Sequence, residues 1–248
     1  MGVIKDSAII LEALPLQRAD CLVVFFSKNS GMIHGIAEGA RRVKSRFAGC
    51  FEHLNYVLIS YYKKENEELV KINECEIISS IMERGLEEEG YYAVFYLSEL
   101  AKEFGTAGRN TKFFNILESF HKALVSGMDI GLIVRWGELQ VLNEHGSLSL
   151  AEVCATCKTL LSGKKYISAN GAMQCTNCRG KSDLELSEEI FMLMNKLLYA
   201  KINDLNKVRI EGAKLKRVGM ITRYLIEHCI EKPLQFYRFY NQIKRDRS

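Results

Sequence analysis

The chain has 248 residues, 48% hydrophobic and 26% charged, with a formal net charge of +4. That composition excludes a disordered chain and fits one large domain or two to three small ones. No apolar run of about 18 residues occurs, so no membrane span is expected. The opening Met1-Gly2-Val3-Ile4-Lys5-Asp6 lacks the basic-then-apolar pattern of a secretory signal. The charge is uneven: residues 1–80 are balanced, 81–150 are net acidic, and 201–248 carry 12 basic against 5 acidic side chains. Such a basic balance suits a polyanionic partner, and it also suits plain solubility.

The first 80 residues read as β-structure. Ile4 to Leu14 is β-compatible, and Cys21-Leu22-Val23-Val24-Phe25-Phe26 is a short run of strand formers. Ser30-Gly31 turns the chain into Met32-Ile33-His34-Gly35-Ile36-Ala37. A further strand covers Asn55 to Tyr62, and a polar turn at Lys63-Lys64-Glu65-Asn66 leads into Leu69-Val70-Lys71-Ile72. Five short strands with Gly and polar turns predict a small closed or nearly closed barrel, most economically an OB-fold.

After about residue 85 the apolar period becomes helical. Tyr92, Phe95, Tyr96, Leu100 and Phe104 recur at three- and four-residue steps, as do Phe113, Ile116, Leu117, Phe120 and Leu124. Ile133, Trp136, Leu139, Val141 and Leu142 continue the pattern, with breaks at residues 105–110 and at Ser126-Gly127. Ser187 reads as an N-cap before a helix from Ile190 to Ala200. A last helix runs from about Ala213 to Glu231 and stops at Pro233.

Between these helices stand two CxxC pairs, Cys154-Ala155-Thr156-Cys157 and Cys175-Thr176-Asn177-Cys178, with 17 residues between them. This spacing is that of a structural zinc site, in which four thiolates close the shell and leave no position for water or substrate. Iron in the same shell and a pair of disulfides are the alternatives. Asn170-Gly171 predicts a β-hairpin between the pairs, so the segment resembles a zinc ribbon. Cys21, Cys50, Cys75 and Cys229 are scattered singly, as reduced thiols are in a cytosolic protein. The expected architecture is therefore α+β: an N-terminal OB-fold barrel (1–80), a helical domain (81–150 and 183–248) and an inserted four-cysteine zinc segment (151–182).

No phosphate-binding loop, dinucleotide fingerprint, zinc-protease or serine-hydrolase motif occurs, and the five histidines are dispersed. A binding protein, not an enzyme, is expected. The sharpest remaining feature is Arg41-Arg42-Val43-Lys44-Ser45-Arg46, four cations in six residues after a barrel strand. Arg41, Arg42, Lys44 and Arg46 are candidate phosphate ligands, which hold nucleic acid without reading sequence. Lys28 adds charge, and Phe47 and Phe51 are candidate stacking surfaces for single-stranded bases.

The stretch from Gly31 to Arg42 resembles the G-x-x-x-x-x-A-x-G-A-R segment of the RecO DNA repair proteins, and Lys44-Ser45-Arg46-Phe47 continues it. In order along the chain, Leu97-Ser98-Glu99-Leu100 resembles that family's "ELL" segment and Phe113-Phe114-Asn115-Ile116-Leu117 its "LF-x-x-L". Arg135-Trp136-Gly137-Glu138-Leu139-Gln140-Val141-Leu142, running on to Gly146, resembles its lead into the zinc segment. The chain departs from the pattern at Ser147, where the family often has Pro, and at Pro233-Leu234-Gln235-Phe236-Tyr237-Arg238, where it has "LKSR". The resemblance implies a bacterial, cytoplasmic, nucleoid-associated recombination mediator. Such a protein binds single- and double-stranded DNA, anneals complementary strands, and works with RecR to load RecA onto strands coated by single-stranded DNA-binding protein (SSB). It also implies a grip on the acidic tail of SSB, with Arg135 as the candidate cation. A zinc-ribbon transcription regulator and an OB-domain nuclease are the alternatives.

Overall fold

The computed structural model describes residues 2–63, 68–205, 209–232 and 234–236. The turn expected at 63–66 falls largely outside them, as do the helix stop at Pro233 and residues 237 and 238 of the departing motif. The chain forms two compact units, Met1–Gly127 and Met128–Ser248.

In the first unit, β1 (Val3–Pro15), β2 (Cys21–Ser27), β3 (Gly31–Ala37), β4 (Tyr56–Tyr62) and β5 (Leu69–Ser79) close into a barrel in the order β1-β2-β3-β5-β4. Only the β3–β5 pair is parallel among these neighbours. Alternate residues fill the interior: Ala8 and Ile10, Val23 and Phe25, Ile33 and Ala37, Val57, Ile59 and Tyr61, Val70 and Ile72. β5 runs seven residues beyond the expected end at Ile72. Its register against β4 shifts near Ser60 and Tyr61, and its outward Glu74 and Glu76 hide the strand from an apolar-pattern reading.

Ile9 and Leu11 point away from the interior and are nevertheless buried. The helices α1 (Glu88–Phe104) and α2 (Thr111–Ser126) pack against β1, and Phe113 meets Phe26 with ring centroids 5.0 Å apart. A strand covered on both faces explains the unbroken apolar run from Ala8 to Leu11. The α1–α2 connection also grips the β2–β3 turn: Met32 N–H donates to Thr106 O (3.0 Å) and Gly108 N–H to Ser30 O (3.0 Å). Gly31 has φ +71°, and a Cβ there would sit 2.0 Å from Gly108 O, so only glycine fits.

Two polar anchors hold this unit. The buried Asp6 carboxylate accepts from Ser27 Oγ, from Asn29 N–H and Nδ2 (both 2.8 Å) and from Ser7 N–H (2.9 Å). His121, buried on α2, bonds Leu54 O through Nδ1 and Ser79 Oγ through Nε2, both at 2.8 Å. A carbonyl only accepts, so Nδ1 carries the proton and neutral Nε2 accepts from the serine. Burial pushes the pKa of His121 below its usual value, and does the same to His53, whose ring packs on Phe95.

In the second unit, α3 (Ile130–Glu144) packs against α4 (Glu188–Tyr199), α5 (Ile202–Leu205) and α6 (Gly212–Ile230). Trp136 Nε1 donates to Ala200 O (3.2 Å) and Gln140 Nε2 to Leu198 O (2.6 Å), so α3 satisfies carbonyls at the end of α4. Ser187 Oγ caps α4 by accepting from Ile190 N–H. A three-stranded sheet in the order β7-β6-β8 is built from β6 (Lys165–Ile167), β7 (Met173–Gln174) and β8 (Leu184–Leu186). Among the described residues no helix is long and apolar enough to cross a membrane.

Both anchors have measurable consequences. Asp6→Ala strands several buried donors and should lower the unfolding free energy by about 2 kcal/mol in urea titration. His121 and His53 have folded pKa values below the unfolded value of about 6.5, so the unfolded chain binds more protons as the pH drops. Stability should therefore be full above about pH 7 and fall as pH drops through 6.5 toward the folded values. Denaturant melts from pH 8 to 5 will detect this, with a flatter profile in His121→Gln.

Candidate nucleic-acid interface and metal centre

Residues 38–55 join β3 to β4 without a helix or strand, yet they are fixed at several points. Gly39 N–H donates to Asp20 Oδ1 (2.7 Å) and Arg41 N–H to Ala19 O (2.9 Å), which ties the loop to the β1–β2 turn. Tight turns follow, Arg42 N–H to Gly39 O (3.1 Å) and Ser45 N–H to Arg42 O (3.0 Å). Phe47, 2% exposed, then inserts into the barrel core with Phe51 against it, ring centroids 5.2 Å apart. Phe47 is thus sealed in the barrel and presents no face to bases, contrary to the sequence expectation; Phe51 is half-buried on the same core.

The apex carries the charge. Arg41, Arg42, Lys44 and Arg46 are all exposed, and among the described residues none is ion-paired to a carboxylate. Arg42 folds over Gly39, where a Cβ would sit 3.1 Å from its Nε. Arg46 lies over the Phe47 ring, 4.8 Å from its centroid, and borders a surface pocket with Lys5, Glu74 and Glu76. Lys28 is elsewhere: it follows β2 at the far end of the β2–β3 hairpin, with Nζ 5.9 Å from the centroid of Phe114. A seven-residue strand, roughly 20 Å, separates it from the loop.

The topology adds a residue that the sequence did not single out. Arg18, exposed in the β1–β2 turn, neighbours Ala19, whose carbonyl accepts from Arg41. It lies 23 positions before Arg41, so no local pattern links them. The strand register also lines up Leu14, Leu22 and Ile36 across β1, β2 and β3, with Lys71 next on β5. This aliphatic row lies toward the same barrel end as the loop.

The four knuckle cysteines converge in the second unit. Their Sγ atoms all lie within 4.8 Å of one another, and Cys157 Sγ and Cys175 Sγ are 3.8 Å apart. Zinc bonded to sulfur at about 2.3 Å in a tetrahedron requires sulfurs about 3.8 Å apart, whereas a disulfide needs about 2.05 Å. All eight cysteines are free thiols. The knuckles are preformed by backbone turns, Lys158 N–H to Cys154 O (2.9 Å) and Arg179 N–H to Cys175 O (3.0 Å), with Lys158 at φ +61°. The connecting hairpin pairs Tyr166 with Gln174 and Ile167 with Met173. Its turn is wider than two residues: Ser168 N–H bonds Ala172 O and Gly171 N–H bonds Ser168 O, with Gly171 in the left-handed bulge position at φ +73°.

The thiols are poised unequally. The backbone N–H of Cys157 leads in lowering the Cys154 pKa to about 6, and the Thr159 hydroxyl leads in lowering that of Cys157. Hydrogen bonding to the Cys175 thiol, then to that of Cys157, helps push Cys178 up to about 12. Packed like this, four thiols cannot all ionise without a cation among them, and the all-sulfur donor set fits a soft or borderline divalent metal.

Arg135 occupies the α3–α6 interface. Its Nη1 is 3.1 Å from Glu138 Oε2, and the Glu138 carboxylate is fully buried and accepts from Thr222 Oγ1. A Cβ on Gly219 would fall 2.0 Å from Arg135 Nη1, so α6 passes flush against the guanidinium. The Arg135 side chain keeps 19% exposure. It is foremost the partner of a buried carboxylate.

Comparison with known proteins covers both units. The family model described as Recombination protein O N terminal matches residues 1–81, and Recombination protein O C terminal matches residues 88–236. The DNA repair protein RecO of Acetivibrio thermocellus is 25% identical over 254 residues, covering 98% of this chain and 100% of its own. That of Syntrophus aciditrophicus is 22% identical, covering 97% and 96%, and that of Clostridium novyi 24%, covering 99% and 96%. The motifs that run in order from Gly31 to the second knuckle thus lie within two matched models that span nearly the whole chain, and the protein belongs to the RecO, or recombination protein O, family.

Proposed function

We propose that this protein is a DNA repair protein, a non-enzymatic recombination mediator that binds single- and double-stranded DNA without sequence preference. The reading extends to annealing complementary strands and, with RecR, helping RecA onto SSB-coated single strands. Support comes from relatives named DNA repair protein RecO, which the chain matches over nearly their full lengths. The observation that carries it is the rigid, unpaired cationic loop at one end of the barrel. In this reading the five-stranded barrel is of the OB type. Arg41, Arg42 and Lys44 hold phosphates, Arg46 flanks them, and Lys28 contacts a more distant part of the strand. Phosphate contacts screen the repulsion between two strands and leave base edges free to pair.

In the second unit Arg135 is the proposed cation for the acidic tail of SSB, using the part of its guanidinium that remains exposed. Cys154, Cys157, Cys175 and Cys178 are proposed to hold a structural Zn(2+), which cross-links two knuckles and performs no step of the reaction. The protein works in the bacterial cytoplasm, at the nucleoid.

Three measurements test these assignments. The double reversal Arg41→Glu with Arg42→Glu should weaken binding equally for unrelated sequences. It should flatten the slope of log K against log salt on single strands by roughly 1.4, about 0.7 for each lost contact; an unchanged slope removes the loop from the interface. Chelation of the metal, or Cys175→Ser, should lower thermal stability and solubility together, and a fully stable metal-free protein would refute a structural zinc. The function as a whole is tested by annealing of complementary strands precoated with SSB. Acceleration without nucleotide that is lost on deleting the SSB tail is expected. No acceleration, with tight binding to one duplex sequence, would point to a transcription regulator.

A further inference from the structure

We propose that Val43 is an apolar wedge, set between neighbouring bases of the strand whose phosphates the loop holds. The inference rests on reading residues 39–46 as a phosphate-binding loop. Val43 stands between Arg42 and Lys44 with a relative exposure of 103%, as bare as in an isolated peptide. It makes no contribution to the barrel core. The other apolar side chains of the loop are withdrawn from solvent: Phe47 is buried in the barrel core with Phe51 half-buried against it, and Cys50 and Leu54 are buried. With the aromatic rings withdrawn, Val43 is the large apolar group that the cationic apex presents.

Its presentation is fixed. The turns Arg42 N–H to Gly39 O and Ser45 N–H to Arg42 O bracket it, and Arg41 N–H to Ala19 O ties the apex to the β1–β2 turn. The ordering cost of binding is therefore met largely in advance. A β-branched side chain with a restricted χ1 makes a stiff wedge. Cations on either side can take successive phosphates and aim the side chain at the bases between them. Apolar side chains placed in this way unstack base steps. The row Leu14, Leu22 and Ile36 on the neighbouring strands offers aliphatic surface toward the same barrel end. Unstacked bases present their pairing edges, which is what a second strand needs in order to anneal.

The test uses the full chain and single-stranded DNA carrying one 2-aminopurine, whose fluorescence rises when it leaves the stack. Val43→Ser should bind about fivefold more weakly, a fraction of what base–aromatic contacts deliver. It should lose the fluorescence rise yet keep the wild-type salt slope and melting temperature, while Val43→Leu retains both affinity and the rise. Wild-type affinity and a full rise in Val43→Ser, with the slope still flattened by Arg41→Glu and Arg42→Glu, would overturn the wedge and leave the loop reading standing. A slope insensitive to the double reversal would overturn both.

Discussion

Phe47 in the barrel is the contact on which the charged loop hangs. Eighteen residues of irregular chain between two strands is long for a compact domain, and four unpaired cations give such a segment no reason to stay in place. Burial of one phenylalanine contributes roughly 2–3 kcal/mol, and the surrounding bonds spread that hold along the loop. Leu54 and Asn55 exchange backbone hydrogen bonds with Ile10 at 2.7 and 3.0 Å, Asn55 Nδ2 reaches Gly49 O, and His121 takes Leu54 O. The apex can therefore remain bare and charged because its base is sunk in apolar surface.

Much of this was legible in the sequence. Short runs of strand formers separated by Gly and polar turns located β1 to β4 and the start of β5. The helical stripes located α1 to α4 and α6, and the CxxC spacing identified four converging sulfurs. What was illegible depended on distance along the chain. Phe47 looked like a stacking residue because it follows a basic run, and only the closed barrel makes it core. Arg18 joins the loop through a single backbone bond to its neighbour Ala19. Lys28 looked adjacent to the loop by number, but a whole strand intervenes. The later half of β5 was hidden by its charged outward face, and α5 is too short to establish a period.

The second unit shows how a recognisable sequence motif can have a packing role as its first duty. Arg135 and Glu138 lie three residues apart, one turn of α3, and Thr222 and Gly219 approach from α6. Glu138 is fully enclosed, so removing its cation would leave a buried charge without compensation. Gly219 is the complement of that arrangement, because any side chain there would displace the guanidinium. A functional role for Arg135 would have to be compatible with this prior commitment.

The four-thiolate centre also bears on electrostatics. A divalent ion inside four thiolates leaves a formal charge of roughly −2 on the cluster, which a count of acidic and basic side chains omits. Loading would bring the formal net charge of +4 down by that amount. Lys158, Lys164, Arg179 and Lys181 are exposed within the same short segment. The cluster would offset about half of their positive charge. An ion in the four-cysteine cluster would thus change the local charge of the ribbon without any change in its side chains.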